Sequence, residues 1–153
     1  MSTDTSSSSA LPGKWEKLFK VSIYLKKKHD ISDEKFSEYY AQSHAALAAP
    51  VLLRHKCVSY TQFHCMADKA KQPITAMFGP DALSPQNPMQ VMPYDGCSTF
   101  VFAKLEDAQA FFHDPETTTV LGPDAVNFTD PSTLQIAIGQ EFVAIKDGKA
   151  QHE

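Results

Sequence analysis

The sequence predicts an α+β fold in the order β-α-β-β-α-β, the ferredoxin-like pattern of one antiparallel sheet with both helices on one face. Three observations carry it. Residues 17–25 and 57–65 alternate apolar and polar side chains with the two-residue period of a strand. Residues 32–49 repeat at helical spacing instead, with Phe36, Tyr40, His44 and Leu47 at i, i+4, i+8 and i+11. Two further strand patterns, over 96–103 and 134–145, bracket a second helical stretch that begins at Leu105.

The first strand sets Phe19, Val21, Ile23 and Leu25 against Leu18, Lys20, Ser22 and Tyr24. The basic run Lys26-Lys27-Lys28 after it reads as a solvated turn. Ser32 is a good N-cap, and Asp33 and Glu34 suit the first turn of the next helix. This helix should fade near Ala49, because Pro50 restricts the residue before it; residues 51–55 then add one further turn. Strand two places Val58, Tyr60, Gln62 and His64 on one face. Residues 66–95 hold five prolines and four methionines with little periodicity, apart from a helical piece around 74–77. Met77, Phe78, Met92 and Tyr94 make this connection either a lid over a flat hydrophobic ligand or a loop packed on the sheet. Leu105, Ala108 and Phe112 share one side of the next helix, and a further helical piece should stop near Gly122-Pro123. In the last strand Ile136, Ile138, Gln140 and Phe142 share a face, with a break in phase near Gly139.

The 153 residues suit one domain over 15–147, with a disordered Ser-rich tail over 1–14 and a flexible tail over 148–153. A formal net charge of −4 disfavours nucleic acid as a partner. Three cysteines without a CxxC pair, and no apolar leader, point to a reduced cytoplasmic protein. No run is long and apolar enough for a membrane span. Both helices on one face of the sheet leave the other bare, and a second copy is the simplest cover, so a two-fold homodimer is expected.

Two imidazoles and a phenol on inward faces suggest acid–base chemistry on an organic substrate. His44 is the first candidate, since imidazole titrates near neutrality. His64 closes strand two on the face of Tyr60, where the alternative is a strand-end histidine bonded to the loop. Asp95 would orient an imidazole, unless Asp95-Gly96 is simply turn chemistry. Tyr40 and Tyr60 are candidates for a phenolic hydrogen bond to a substrate carbonyl, with core packing as the other role open to them. Phe36 shares their face. His113 ends the second helix, where it either complements the dipole or reaches the pocket. Asp124, Asn127 and Asp130 read mainly as turn formers before the last strand. A metal held by His44, His64 and Asp95 lacks any close H-x-x-x-H or H-x-H spacing.

The strands FKVSIYLKK and CVSYTQFH, the helix DEKFSEYYAQSHAALAAPVLLRH, the stretch PYDGCSTFVFAKLEDAQAFFHDPET and the run DAVNFTDPSTLQIAIGQEFV resemble the EthD-domain family, within the dimeric α+β barrel superfamily. The proline- and methionine-rich insertion before Tyr94-Asp95-Gly96 is similar to the fungal branch, whose members often serve aromatic polyketide pathways. The resemblance implies a pocket between sheet and helices and no metal or nucleotide cofactor. It does not fix the reaction. The first expectation is a cofactor-free decarboxylase of an aromatic polyketide carboxylic acid. In it His44 protonates carbon, His64 or Asp95 tunes His44, Tyr60 binds the neighbouring oxygen, and Phe36, Tyr40, Met77, Phe78, Met92, Tyr94 and His113 contact substrate. The close alternative is a polyketide cyclase or dehydratase using the same residues. A non-catalytic dimeric binder of hydrophobic small molecules is the third.

Overall fold

The strand patterns pair as their alternation requires. In the computed structural model, which describes residues 12–65 and 67–153, the main sheet contains β1 (Phe19–Leu25), β2 (Ser59–His64), β3 (Gly96–Phe102) and β4 (Gln135–Gly139). Its order is β2-β3-β1-β4, and every pair is antiparallel. That is the ferredoxin-like arrangement. Register lines the inward residues up in rows across the sheet: Tyr60–Phe100–Val21–Ile138, then Gln62–Ser98–Ile23–Ile136, then His64–Gly96–Leu25.

Ser32 caps the first helix as expected, its hydroxyl accepting the Lys35 N–H at 3.1 Å. Three segments run on without a break: α1 (Asp33–Glu38), a π-helical turn (Tyr39–His44) and α2 (Ala45–Arg54). In the wide turn the Ala45 N–H reaches back five residues to the Tyr40 carbonyl. The extra residue rotates the rest of the helix about its axis, so Ala48, Val51 and Leu52 are buried while Leu47, expected inside, is exposed. Nor does the helix fade at Ala49. Pro50 sits inside α2 on its exposed side, where water can satisfy the Ala46 carbonyl that the missing N–H leaves unpaired.

Helix α3 (Lys71–Phe78) lies in the long connection, and α4 (Leu105–His113) comes after β3. On α4 the buried residues are Ala108 and Phe111, with Phe112 half-buried and Leu105 exposed. A second π turn (Thr117–Leu121) leads directly into α5 (Gly122–Asp124), so Gly122-Pro123 does not end this helix. Pro123 lies within this continuous run, directly after the wide turn in which the Gly122 N–H reaches back to the Thr117 carbonyl. Strand β4 is shorter than expected. The chain leaves the sheet after Gly139, and Phe142–Val143 pairs instead with Lys14–Trp15. Lys149–Ala150, in the stretch expected to be a flexible tail, forms a hairpin with Ile145–Lys146. The expected N-terminal tail lies, as far as residue 11, outside the described residues.

The core is two clusters between sheet and helices. One joins Val21, Phe100 and Phe102 to Val51, Leu52, Phe111 and Leu121; the other joins Leu25 to Phe36, Tyr40 and Phe128. The long connection packs on the opposite, outer face, where Tyr94 meets Tyr24 with ring centroids 5.4 Å apart and its hydroxyl bonds Gln135. Of the two roles open to this connection, its position fits packing on the sheet. Among the described residues, no helix is long and apolar enough to cross a membrane.

Candidate active site

The first π turn delivers His44 to the end of the buried face that Phe36 and Tyr40 begin. Across from it, α5 presents Asp124, whose Oδ2 accepts from His44 Nδ1 at 2.8 Å. The other carboxylate oxygen, Oδ1, accepts from Tyr39 Oη at 2.6 Å and Asn127 Nδ2 at 2.9 Å. Burial works to raise the Asp124 pKa, but the bonds from Tyr39, His44 and Asn127 outweigh it and hold the carboxyl below its ordinary range. Bonded to a carboxylate, His44 Nδ1 must carry the proton, so in the neutral ring Nε2 holds the basic lone pair. The pair is largely shielded, with side-chain exposures of 17% for His44 and 9% for Asp124.

His44 lines a cavity of about 180 Å³ between sheet and helices. Its floor is Ile23, Leu25, Ser98, Phe100 and Tyr60; its roof includes Ala48, Phe111, Phe112, Leu121 and Phe128. The polar groups among this lining are few: His44, Tyr60, Ser98, Thr117 and Thr129. Tyr60 Oη accepts from Gln62 Nε2 at 2.9 Å, and burial raises the phenol's pKa, which keeps it a hydrogen-bond donor at neutral pH. Ser98 Oγ shares a 2.5 Å hydrogen bond with Tyr40 Oη. An imidazole base, a protonated phenol and apolar walls can move a proton at carbon while holding a neighbouring oxygen.

The residues singled out from the sequence divide among several places. His44 and Tyr60 share the cavity. His64 points to the same side of the sheet, but the Tyr40 ring stands between it and His44, stacked on His64 at 4.9 Å and 6.4 Å from His44. His64 bonds Ser37 and Gln62, and burial lowers its pKa, favouring the neutral ring. It borders a separate cleft, which Asp95 and Phe36 also line. Asp95 does not meet His44; its carboxylate accepts the Lys27 N–H at 2.7 Å, which ties the start of β3 to the chain leaving β1. His44, His64 and Asp95, the three residues weighed as metal ligands, do not converge, and among the described residues no three His, Cys, Asp or Glu side chains are grouped to hold a metal.

Phe36 and Tyr40 are core residues, at 2% and 0% exposure. Tyr94 and Met92 line a third, apolar cavity of about 390 Å³ beneath the long connection, with Tyr24, Phe63 and Ile74. Met77 and Phe78 are exposed on α3, and His113 is exposed at the end of α4. Sequence reasoning missed Asp124, Ser98 and Thr117 as site residues. For Ser98 a signal existed, a lone small polar residue between Gly96 and Phe100 on the inward face of a strand.

The family model described as the EthD domain matches residues 28–132, more than half of the chain. The chain belongs to the EthD-domain family. Curated relatives include Dehydratase aurZ of Gibberella zeae, 28% identical over 95% of this chain and 91% of that protein. Another is the Conidial pigment biosynthesis dehydratase EthD of Metarhizium robertsii, 24% identical over 88% of this chain and 89% of that protein. Among solved structures, an ethyl tert-butyl ether D (EthD) family protein from Bacillus halodurans aligns with a TM-score of 0.54 at 17% identity, covering 81% of this chain and 98% of that one. A dimeric protein of ferredoxin-like fold and unknown function from Bacteroides fragilis also aligns at 0.54, with 11% identity, covering 84% of this chain and all of that one.

Proposed function

We propose that this EthD-domain protein is a cofactor-free dehydratase acting on a hydroxylated ketone of the aromatic polyketide class, working as a cytoplasmic homodimer. The observation that carries the proposal is the His44–Asp124 pair opening into an apolar cavity that also holds Tyr60. The dehydratase names of the curated relatives support the reaction class. His44 Nε2 takes the proton from the carbon beside the ketone, and Asp124 stabilises the imidazolium that forms. The electron pair moves into the carbonyl, whose oxygen accepts from Tyr60. Collapse of the enolate forms the double bond and expels the β-hydroxyl, which takes the proton back from His44 and leaves as one water. General acid–base catalysis of this kind contributes about 10²–10⁴-fold.

The resemblance read from the sequence puts decarboxylation first; the names of the curated relatives move dehydration ahead of it. One observation keeps decarboxylation as the second reading. Neither Lys nor Arg lines the cavity, so a carboxylate entering it would be desolvated without a counter-ion. His44 would then deliver a proton to the ring carbon as CO₂ departs.

The test is incubation of the purified protein, wild type beside His44→Ala, with an anthraquinone-type polyketide carrying both a β-hydroxyketone and a carboxyl group, read by mass spectrometry. Loss of one water by wild type only is the expected result. Loss of CO₂ instead would replace dehydration with decarboxylation. An unchanged compound that both proteins bind would make the protein a carrier.

A further inference from the structure

Gln62 stands on the inward face of β2 between Tyr60 and His64, and its one amide group serves three neighbours. The nitrogen lies 2.8 Å from the Tyr40 carbonyl oxygen and 2.9 Å from Tyr60 Oη, and the oxygen lies 2.9 Å from His64 Nε2. A backbone carbonyl only accepts, so the amide cannot flip without setting its own oxygen against that of Tyr40. With the nitrogen held there, the amide oxygen accepts from His64 Nε2, and His64 Nδ1 accepts from the Ser37 hydroxyl at 2.9 Å. The second amide hydrogen goes to Tyr60 Oη. A phenol that accepts from Gln62 cannot donate its own proton back to the same nitrogen, so that proton is kept for another acceptor.

The Tyr40 carbonyl is also the acceptor that closes the first π turn, from the Ala45 N–H, and His44 is the last residue of that turn. One NH₂ group therefore joins the turn carrying the base to the oxygen of the phenol. The bonds from Gln62 and Ser98 act to lower the Tyr60 pKa against the larger effect of burial, which makes the phenol a better donor than burial alone would leave it. An apolar side chain of similar length would fill this inward position without loss to the Tyr40 carbonyl, which Ala45 already satisfies. What the amide adds is its hold on the phenol.

We propose that Gln62 is a positioning residue of this site: its amide fixes the spacing between Tyr60 Oη and the turn that carries His44, and leaves the phenolic proton for a carbonyl oxygen of the substrate. This rests on the reading of the cavity as the substrate site, with Tyr60 holding that oxygen. His64, which borders a separate cleft, completes the arrangement by holding the amide oxygen from the other side.

The test uses the full chain with two single-ring probes, acetophenone and toluene, whose binding is read from the NMR methyl signals of the cavity-lining Leu121. The carbonyl carbon of acetophenone is isotope-labelled, so its own signal reports a hydrogen bond to the ketone oxygen. In Gln62→Glu the carboxylate has no hydrogen to give, and Tyr60 would donate to it instead of to the ketone. The carbonyl signal should then move upfield to the position it takes in Tyr60→Phe. Acetophenone affinity should fall about 5- to 30-fold, the equivalent of one hydrogen bond, while toluene affinity stays level. Gln62→Met removes the amide without adding charge, and should give a smaller loss that is again confined to acetophenone. A matching loss for toluene would make Gln62 a structural residue only and overturns the proposal. So does a carbonyl signal unchanged in both Gln62 variants but lost in Tyr60→Phe, an outcome that leaves the reading of the site intact. An unchanged signal in Tyr60→Phe, or failure of both probes to shift Leu121 in wild type, overturns the reading of the site and this inference together.

Discussion

The role of His44 turns on which of its nitrogens carries the proton, and Asp124 decides that. Both donors on Asp124 Oδ1, from Tyr39 and Asn127, fix that oxygen in place. In Asp124→Asn the amide oxygen would keep those two donors, and the amide nitrogen would face His44 Nδ1. The imidazole would then have to accept at Nδ1 and carry its proton on Nε2, with no lone pair for the substrate. Turnover should fall by about 10²–10⁴-fold while substrate binding is largely kept, measured as kcat against KM. Nitrogen NMR of the ring should report the exchanged tautomer. The same substitution should flatten the acid limb of stability. The folded pKa of Asp124 lies below its unfolded value of about 4, so its bonds support the fold above that pH and are lost as pH falls through the folded value.

His44 was legible in the sequence because it continues a helical face begun by two aromatic residues. Asp124 was not, because it lies 80 residues away and only the packing of two helices brings them together. Asp95, which looked like the orienting carboxylate, is instead spent on the Lys27 N–H, a partner that only the pairing of strands brings near.

At the scale of elements, the two π turns govern the site. Each adds a residue to a helix that packs on the sheet, one ending at His44 and the other beginning at Thr117. Gln62 of β2 braces the first by donating to the Tyr40 carbonyl at 2.8 Å. Neither turn was legible, because a residue-type pattern read at 3.6 per turn cannot register a local widening; it put Leu47 inside where Ala48 lies. The first three strands of the sheet were legible, since alternation alone marks which of their residues share a face, whereas the last strand ends at Gly139, short of the expected span. The close approach of helix to sheet gives a prediction at this scale. A Cβ on Gly96 would lie 2.8 Å from Tyr40 Cε2 and 3.1 Å from Leu25 Cδ1. Both are parts of a packed core cluster rather than free side-chain ends. Gly96→Ala should therefore destabilise the protein by about 1–3 kcal/mol through overpacking, measured by denaturant unfolding.

At the scale of the whole molecule, the outer face of the sheet remains to be covered. The long connection occupies only the end near Tyr24 and Phe63. Across the middle, register aligns Thr61, Thr99, Ser22 and Ala137 into one row of small side chains spanning all four strands, with Ser22 and Thr99 bonded at 3.2 Å. Such a row lets a second sheet approach to the spacing of about 10 Å at which sheets pack face to face. A second copy brings the same row and satisfies two-fold symmetry without any new sequence feature. Thr99→Arg tests this directly. In a single chain the substituted side chain can extend over the open face into water, so folding should be little changed. In a dimer it would place two guanidinium groups in the dry centre of the interface, where unpaired charge is strongly unfavourable. Sedimentation equilibrium should give twice the chain mass for wild type and the chain mass for Thr99→Arg, with matching circular dichroism spectra. A wild-type protein that sediments at the chain mass would reject the dimer and leave the outer face as open surface.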